Sequence, residues 1–514
     1  MSRAETLVEW LRDYAARRVD LRTMDERRTI APHVVLDFGR QGLLGLQVPT
    51  EWHGLGLSTR DALRVTEQLA AIDLSLAAFI GVQNTLGLCP LSRHGTAAQK
   101  NAWLSDAATG RILIAFALTE ESGGSNPHAI QSVARRCGDG DWILRGEKIW
   151  IGNAAWSTLI VVVARAEGTA GEPLGLTTFL VPTDAGGVDP GEEALTMGVR
   201  SMVQNRVRFS DVRVPDAHRI GAIGKGLVVA QDAMAAGRLG IAAMSLGGIK
   251  RCAQLMTAYA SRRSIATGSL IDNPVTADRL HAVLCAVAAV DALLGKVADA
   301  TDAGDAVPDE CLALCKLVAT EQLGDAADRV VQMTGGRGYI ESSGVPQLVR
   351  DARLFRIFEG PSETLAWYVG SRLLQDPRPL DTFMRDRLGG TDSASRLRAT
   401  TQELAASLKG AANYARARTW IAFHLGTIAG WAALDAAVER SETVAAALDV
   451  GAWARECADL VRARALRPPS TGWGASAALL QAEAHGLDDA IGPPLMSPAR
   501  VELHALLARS MSHR

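Results

Sequence analysis

The sequence predicts a multi-domain α+β protein in which helices, then strands, then helices again follow one another along the chain. Two observations lead to this prediction. The 514 residues exceed what one hydrophobic core usually holds, so two to four domains are expected. The spacing of apolar residues changes from a helical period to short β-rich runs near residue 112 and back near residue 223. With 48% hydrophobic and 21% charged residues, the composition is that of a folded globular chain.

Residues 1–111 are predicted to be helical and residues 112–222 to form a β-domain. In the first segment, apolar residues recur every three or four positions in LVEWLRDYAARRV, VVLDFGRQGLLGL and DALRVTEQLAAIDLSLAAFIGVQ. In the second, ILIAFALT, WILRGEKIWI, TLIVVVARA, LTTFLVP and RVRFSDVRVP are short β-rich runs separated by Gly, Asp and Pro. The chain therefore opens with helices and continues with strands.

Residues 223–375 are predicted to form a helical bundle, because long Ala/Leu-rich periodic stretches return there with few helix breakers. The segment DPRPL marks a joint, and residues 376–514 are predicted to be a further helical extension. One stretch of that extension carries a large apolar surface, formed by Trp420, Ile421, Phe423, Leu425, Ile428 and Trp431. Since water would not solvate this surface well, we expect residues 381–514 to dock on their own protomer or on its dimer mate.

Charge and cysteine content exclude several classes of protein. A formal net charge of −2 leaves no large field for attracting nucleic acid or an acidic membrane, so neither is expected as a partner. The seven cysteines lack metal-ligand spacing, and no metal is expected. The start MSRAETLVEWLRDYAARR is charged where a signal peptide needs an apolar run, which indicates a cytoplasmic protein. Apolar runs such as LHAVLCAVAAVDALLG carry charges, here Asp291, so no membrane span is expected.

Three clusters of residues are candidates for chemistry. The first, FALTEESGGSN at 116–126, places a glycine-rich turn directly after a predicted strand. Such a turn exposes N–H groups and hydroxyls that can hold a phosphate or a heteroaromatic edge, although a plain tight turn is the simpler interpretation of this segment alone. It lacks the pattern of a P-loop or of a Rossmann dinucleotide site. The second, GEKIWIGNAAWSTLIVVVARA, carries Trp150 and Trp156, for which core or interface aromatics are the simpler interpretation.

The third cluster, residues 332–365, brings together a glycine-rich loop and an isolated acidic residue. Its sequence QMTGGRGYIESSGVPQLVRDARLFRIFEGPSETL puts GGRGY before a predicted helix and Glu359 between Phe358 and Gly360. A carboxylate beside an aromatic ring and a glycine can be a partly desolvated base. A solvated glutamate that caps a helix fits the same pattern.

Together these clusters resemble the acyl-CoA dehydrogenase family over roughly residues 1–375, in the same order. LTEESGGSN is similar to the family's first signature, with Asn126 where an Asp is usual, and MTGGRGY through VRDARLFRIFEG is similar to the second. The resemblance implies an N-terminal α-helical domain, a central β-barrel-like domain and a C-terminal four-helix bundle, with FAD between them. The extension would be an additional helical domain.

The resemblance also implies a reaction and the residues that perform it. Glu359 would be the catalytic base that removes the α-proton of an acyl thioester, carried on CoA or on an acyl carrier protein, while hydride passes to flavin N5 and a trans-2-enoyl thioester forms. Substrate contacts are implied for Ser125, Arg238, Phe358 and Gly360. Cofactor contacts are implied for Phe116, Leu118, Thr119, Gly124, Ser125, Trp150 and Gly152, and, from a neighbouring subunit, for Arg263, Gln332, Gly335 and Gly336. A homo-oligomer, with a dimer favoured by the extension, and an electron-transferring flavoprotein or similar acceptor are the implied partners.

Departures from the family pattern keep two alternatives open. Gly152 stands where a hydroxyl residue is usual, so a side-chain hydrogen bond to flavin N5 would be missing. This departure motivates a flavin-dependent oxidase or monooxygenase of the same fold as an alternative. Pro361 and Glu363 replace the common Thr and Gln, and Ala266 and Thr267 replace an aromatic-glycine pair. A nucleic-acid-binding flavoprotein is a further alternative, but the extension holds 16 basic and 15 acidic residues and so offers no strong basic surface.

Overall fold

The computed structural model of the protein describes residues 2–409, 411, 413–440 and 444–467, together with the isolated positions 482, 484 and 487. It confirms the predicted fold class, because helices come first, a β-sheet follows, and helices return. The rest of the predicted C-terminal extension lies outside the described residues.

The N-terminal part is a set of α-helices around an apolar core that includes Phe38, Leu69 and Phe79. Its helices are Arg3–Arg18 (α1), Leu21–Arg27 (α2), Pro32–Arg40 (α3), Thr59–Ile72 (α4), Leu74–Gly81 (α5), Leu88–His94 (α6) and Ala97–Ala108 (α7). Helices α1 and α7 begin at capping boxes, in which the Ser2 and Thr96 side chains accept from backbone N–H groups of the first turn.

A π-helical turn at Val82–Gly87 lies between α5 and α6. Gln83 in this turn is buried; its Nε2 donates to the carbonyl oxygen of Ala107 (3.0 Å) and its Oε1 accepts from the N–H of Ile114 (2.8 Å). These two hydrogen bonds fix the turn to the end of the helical part and to the first strand. Short π-helical segments of this kind are rare and occur frequently at functional sites.

The middle part is an eight-stranded sheet. Its strands are Ile114–Ala117 (β1), Val133–Arg136 (β2), Trp142–Gly152 (β3), Leu159–Glu167 (β4), Pro173–Pro182 (β5), Val188–Glu193 (β6), Gln204–Val214 (β7) and Arg219–Ile220 (β8). The order is β6-β7-β3-β2-β4-β5-β8, and β1 also pairs with β4. Strands β1 and β2 run parallel to β4, whereas the other pairs are antiparallel. Trp142 and Phe179 meet edge-on in the core, with ring centroids 5.3 Å apart.

The third part is a bundle of long helices. Its elements are Gly226–Ala260 (α8), the hairpin Ser264–Ile265 (β9) and Gly268–Ser269 (β10), Pro274–Asp302 (α9), Asp309–Thr334 (α10), Gly336–Tyr339 (α11), Val345–Phe355 (α12) and Ser362–Gln375 (α13). Small residues let α8 approach its neighbours closely, since a Cβ built on Gly248 would lie 2.5 Å from Leu323 Cδ1 on α10. The bundle core is therefore built on close helix packing.

Helix α12 is fixed to both preceding parts by buried polar and charged side chains. Asp351 Oδ1 accepts from the N–H of Val199 (2.5 Å), and its Oδ2 accepts from the Ser75 hydroxyl (3.4 Å). Arg350 pairs with buried Asp25 on α2 (2.6 Å). Because Ser75 lies on α5 and Val199 precedes β7, these contacts join the N-terminal helices, the sheet region and the bundle at one place.

The described part of the extension docks on the bundle of its own protomer. Its helices are Arg378–Asp386 (α14), Thr391–Ser407 (α15), Tyr414–Val438 (α16), Val444–Ala447 (α17) and Val450–Ala465 (α18). Helix α16 crosses α13 so closely that a Cβ built on Gly370 would overlap the carbonyl oxygen of Ala422, and one on Gly426 would overlap that of Ala366. The apolar stretch noted in the sequence is covered, with Ile421, Leu425 and Ile428 buried and Trp420, Phe423 and Trp431 partly buried against the same core.

Four of the described helical segments are long and apolar enough to cross a membrane by length and composition alone: Leu74–His94, Gly226–Ala260, Pro274–Asp302 and Tyr414–Val438. Between 50% and 78% of each apolar window is buried inside the fold. Packing against other parts of the chain therefore accounts for much of their apolar surface.

Candidate active site

Glu359 lies in the turn between α12 and α13. Gly360 and Pro361 end the helical pattern there, because a glycine with φ of 98° and a proline cannot continue a helix. Glu359 itself has φ of 53°, in the left-handed region that costs a residue with a side chain about 1–2 kcal/mol. Backbone strain of this kind persists where the surroundings fix the chain, and it occurs often at functional sites.

The Glu359 carboxyl group is buried, has a raised pKa and lacks a hydrogen-bond partner for one oxygen among the described residues. Its Oε2 atom has no hydrogen-bond partner among the described residues. Burial raises the pKa of Glu359 to about 6, although the positive charges of Arg238 and Lys316 act in the opposite direction. The Nε atom of Arg238 is likewise buried without a partner in the described part of the chain. A carboxylate with a pKa near the physiological range and a free oxygen is suited to proton transfer.

The space beside this carboxyl group is bounded by a glycine of α8 and by the π-helical turn. A Cβ built on Gly237 would lie 3.9 Å from Glu359 Cδ, 3.7 Å from Thr85 Oγ1 and 3.6 Å from Leu86 Cδ2. Since Gly237 has no side chain, this volume next to the carboxyl group is not filled by α8. Thr85 donates its hydroxyl hydrogen to the carbonyl oxygen of Gly81 (2.8 Å).

The turn that carries Glu359 is held by neighbouring aromatic and basic side chains. Phe358 packs edge-on against Phe355, with ring centroids 5.2 Å apart. Lys316 on α10 is fully buried and its Nζ donates to the carbonyl oxygen of Gly360 (2.7 Å). The substrate residues implied for this turn, Phe358 and Gly360, thus adjoin Glu359 in sequence and share its packing.

The glycine-rich segment after β1 is an exposed loop fixed at its base by a buried ion pair. Lys148 Nζ lies 2.7 Å from Glu120 Oε1 and also donates to the carbonyl oxygens of Leu118 (3.1 Å) and Val163 (2.7 Å). Burial lowers the pKa of Lys148 to about 8, against the opposing effect of Glu120. Phe116 and Leu118 are buried, Thr119 is half-buried, and Gly124 and Ser125 are exposed on the loop.

Trp150 and Gly152 lie at the end of β3. Trp150 adopts a left-handed backbone conformation (φ 56°) and is 56% exposed, so its indole is open to contact from outside. A Cβ built on Gly152 would lie 3.3 Å from Met202 Cε and 3.8 Å from Val82 Cγ2. Because Val82 belongs to the π-helical turn, that turn connects the end of β3 to the surroundings of Glu359.

The four residues implied for a neighbouring subunit's cofactor are exposed at the ends of long helices. Arg263 follows α8, Gln332 lies in the last turn of α10, and Gly335 and Gly336 come directly after it. The stretch of α8 from Arg238 to its end spans ~33 Å at 1.5 Å per residue. Arg263 therefore lies far from Glu359 of its own protomer.

Sequence reasoning did not identify two of the residues around Glu359. Lys316 is a single charged residue in the apolar run CLALCKLVA, and this isolation was a usable signal for a buried functional charge. Thr85 gives no such signal, since its place depends on the π-helical turn. Among the described residues there is no group of three or more His, Cys, Asp or Glu that could hold a metal ion.

Comparisons with known proteins agree with this architecture. Models of the acyl-CoA dehydrogenase N-terminal, middle and C-terminal domains match residues 2–111, 115–212 and 224–374. The chain is 31% identical over 339 residues to the mitochondrial short/branched chain specific acyl-CoA dehydrogenase of Bos taurus, covering 66% of this chain and 78% of the relative. It is 31% identical over 336 residues to the mitochondrial very long-chain specific acyl-CoA dehydrogenase of Mus musculus, covering 64% of this chain and 51% of the relative. The chain thus spans about half the length of that relative.

A solved structure extends the likeness beyond the three matched domains. An acyl-CoA dehydrogenase complexed with FAD from Bacillus anthracis shares the fold with a TM-score of 0.76 at 22% identity, covering 92% of this chain and 90% of that one. A coverage of 92% includes helices of the extension as well as the three domains. The chain belongs to the acyl-CoA dehydrogenase family of FAD-dependent oxidoreductases, and FAD is its cofactor.

Proposed function

We propose that the protein oxidises an acyl thioester to the trans-2-enoyl thioester, with Glu359 as the base that removes the α-proton. The observation that supports this proposal most strongly is the Glu359 carboxyl group, which is buried, has an oxygen without a partner in the described chain and borders a volume left open by Gly237. The names of the relatives, which are acyl-CoA dehydrogenases for very long and for short or branched chains, support an acyl thioester without selecting a chain length.

The residues present fit FAD. The exposed loop at Gly124 and Ser125 offers backbone and hydroxyl groups, and a Cβ built on Gly124 would first meet Thr119 Cγ2, 3.8 Å away, so there is room for a ligand. The exposed indole of Trp150 offers an apolar face against which a flavin ring can lie. When bound, FAD supplies the acceptor for the β-hydrogen as hydride.

The surroundings of Glu359 give its carboxyl group a pKa that suits a general base. The α-proton of a thioester is weakly acidic, and a base with a raised pKa accepts it better than an exposed carboxylate would. Burial raises the pKa of Glu359, and an acyl chain lying beside Gly237 would exclude more water from the carboxyl group. Arg238 and Lys316 limit the rise, so that the carboxyl group is still ionised at neutral pH.

Negative charge that develops on the thioester oxygen needs a hydrogen-bond donor. The N–H of Glu359 donates no hydrogen bond within the described part of the chain and is free to serve in this role. A fixed backbone donor in a site that excludes water stabilises such charge more than solvent does. The same short turn would then provide both the base and the donor.

The proposal includes an assembly and an electron acceptor. The distance between Arg263 and Glu359 within one protomer supports a homo-oligomer in which Arg263, Gln332, Gly335 and Gly336 contact the FAD of a neighbouring subunit. Docking of the extension on its own bundle supports a dimer. An electron-transferring flavoprotein or a similar acceptor would reoxidise the flavin. We also propose that the protein is located in the cytoplasm.

A screen of acyl thioesters against the purified holoprotein tests the function. CoA thioesters and acyl-carrier-protein thioesters of increasing chain length are mixed with the protein without oxygen, and loss of the oxidised flavin band is followed. Rapid bleaching with formation of the 2-enoyl thioester is expected for at least one series. Failure of every thioester to bleach the flavin would contradict the proposal, and stoichiometric oxygen consumption in air without an added acceptor would favour the oxidase alternative.

A further inference from the structure

Lys316 is a buried cation placed directly behind the Glu359 turn. It lies in the middle of α10, has no exposed surface, and its Nζ donates to the carbonyl oxygen of Gly360 (2.7 Å). Burying an ammonium group is costly unless an opposite charge or several acceptors compensate for the loss of water. A lysine in this position therefore calls for a negatively charged partner nearby.

The charged groups around Lys316 leave Glu359 as that partner. Negative charges near it come from Glu359, from Glu321 on its own helix and from Glu363 on α13, while Arg238 on α8 contributes positive charge. Glu321 is already engaged, because it accepts from the Ser362 hydroxyl (2.5 Å) and pairs with Arg356 (3.2 Å).

Two further observations distinguish Glu359 from the other carboxylates near Lys316. Glu363 is exposed to solvent, which weakens its interaction with a buried ammonium group. Glu359, in contrast, is buried, and its Oε2 has no hydrogen-bond partner among the described residues. Other titratable or charged groups near this cluster are Tyr368 on α13, Arg356, and Asp325, which pairs with Arg356.

We propose that Lys316 is the positioning residue of the catalytic turn: its ammonium group holds the Gly360 carbonyl and, together with Arg238, supplies positive charge that keeps Glu359 ionised. The inference rests on the proposed function of Glu359 as a base. The hydrogen bond fixes the residue directly after the strained Glu359 backbone, so it stabilises the left-handed conformation that sets the direction of the carboxyl group.

This role has a consequence at both ends of the pH range. Burial raises the pKa of Glu359 to about 6, so the base is lost by protonation below that pH. Burial lowers the pKa of Lys316 to about 8, so the positive charge is lost above that pH. The attraction between the two opposite charges is therefore complete between these values, and replacing Lys316 by an apolar residue should raise the pKa of Glu359 further.

A stability experiment tests the coupling without any reaction. Thermal unfolding midpoints of the holoprotein are measured at pH 5, 7 and 9.5 for the wild type, Lys316→Met, Glu359→Gln and the double variant. At pH 7 the effect of Lys316→Met should be larger when Glu359 is present than in the Glu359→Gln background, and this difference should disappear at pH 5 and pH 9.5. Equal effects in both backgrounds at pH 7 would overturn the inference.

A kinetic experiment tests the same role during turnover. In Lys316→Met, the acid limb of the kcat/KM profile should move up by about one pH unit, since loss of an adjacent opposite charge raises a carboxyl pKa by about that amount. Lys316→Arg should restore the position of the limb at least partly. Thr320→Val, a buried change one turn along the same helix, is the matched control and should leave the limb in place.

The two experiments separate failure of the inference from failure of the function. If no acyl thioester reduces the wild-type flavin, the proposed function fails, while the unfolding midpoints still decide whether Lys316 and Glu359 are coupled. If thioesters reduce the flavin but the acid limb does not move in Lys316→Met, the role of Lys316 is wrong and the function stands.

Discussion

Glu359 combines a strained backbone, a buried carboxyl group and an unfilled space at its side. The left-handed conformation turns the chain between α12 and α13, and burial raises the pKa of the carboxyl group to about 6. Gly237 keeps the neighbouring face of α8 free of a side chain. None of these features alone marks a catalytic base, but together they place an acceptor of a proton beside a face of α8 that carries no side chain.

Gly237 is expected to control access to this carboxyl group. Gly237→Ala would place a methyl group at ordinary contact distances, 3.6–3.9 Å from its neighbours, so the fold and the bound flavin should be retained. Gly237→Leu would fill the space itself, and kcat/KM should fall about 100-fold because the substrate is displaced from the base. Steady-state kinetics with the best thioester check both variants. Unchanged kinetics in Gly237→Leu would show that the substrate lies elsewhere.

The sequence could identify Glu359 as a candidate, but not its environment. A carboxylate between an aromatic residue and a glycine left a helix-capping role open, and the distinction depends on burial by α8 and α10, which are distant in the chain. The role of Gln83 is likewise not visible in the sequence. Its two hydrogen bonds fix a π-helical turn, and periodicity alone does not distinguish such a turn from an α-helix.

At the scale of elements, α16 is the helix that attaches the extension to the catalytic bundle. It contacts α13 through two reciprocal glycine positions, Gly370 and Gly426, and it meets α10 where a Cβ on Gly430 would lie 2.6 Å from Val318 Cγ1. Helix α13 begins two residues after Gly360, and α10 carries Lys316. The extension therefore supports the two helices that hold the Glu359 turn.

Gly426→Val should break this contact. Its side chain would overlap the carbonyl oxygen of Ala366, and overpacking of this kind costs about 3 kcal/mol or more when backbones must separate. We expect a lower thermal unfolding midpoint and faster proteolysis of the extension. Ala415→Val, on the exposed start of the same helix, is the control and should change the midpoint little. A Gly426→Val protein as stable as the control would contradict the close packing.

The order of helical and β-rich segments followed from periodicity, and the structure confirms it as a fold class. Periodicity could not give the order of strands in the sheet, because pairing such as that of β3 with β7 depends on contacts between distant segments. The docking surface of α16 was predicted from its apolar residues, whereas the glycine contacts with α13 became visible only when both helices were placed. Close backbone approach leaves little trace in a single sequence.

At the scale of the whole molecule, a cluster of buried carboxyl groups joins the three parts of the chain. Asp73 and Asp351 lie close together, and burial raises the pKa of both, with mutual repulsion adding to the rise for Asp351. Asp73 accepts from the N–H of Leu76 (2.8 Å) and from Gln347 Nε2 (2.9 Å). Protonation therefore relieves the repulsion between the two carboxyl groups, while the hydrogen bonds fix Asp73 to α5 and α12.

Stability should consequently fall as the pH rises. The pKa of Asp73 is raised to about 6 and that of Asp351 to about 8, above the value near 4 expected in the unfolded chain. The folded state binds more protons, so this contribution is complete below pH 4 and is lost as the pH rises through 6 and 8. Asp351→Asn should flatten the decline in the thermal unfolding midpoint between pH 6 and 8.5.

Asp302→Asn is the contrasting control for this prediction. Asp302 accepts from the N–H groups of Thr59 (2.7 Å) and Arg60 (3.0 Å), and these hydrogen bonds lower its pKa despite opposing desolvation. Its contribution is present above the unfolded pKa and is lost at acid pH, so this variant should leave the slope between pH 6 and 8.5 unchanged. A slope that is the same in Asp351→Asn and in the wild type would refute the role of the buried pair.

The proposed assembly links cofactor binding to oligomerisation. If Arg263 contacts the FAD of a neighbouring subunit, Arg263→Ala should release flavin and reduce the mass of the assembly together, because one surface serves both. The flavin-to-protein absorbance ratio and light scattering measure the two effects. Arg262→Ala, the adjacent exposed arginine, is the matched control. A monomeric Arg263→Ala protein that keeps all its FAD would separate the two functions.

Anaerobic stopped-flow reduction of Glu359→Gln tests the central claim most directly. The wild type, Glu359→Gln and the control Glu363→Gln, exposed in the first turn of α13, are mixed with the thioester that bleaches the wild-type flavin fastest. The amide keeps the shape of the side chain but cannot take up the proton. We predict retained flavin and a reduction rate lower by ~10²–10⁴-fold in Glu359→Gln, with a near-normal rate in Glu363→Gln. Near-normal reduction of Glu359→Gln would assign the base to another residue and contradict the account.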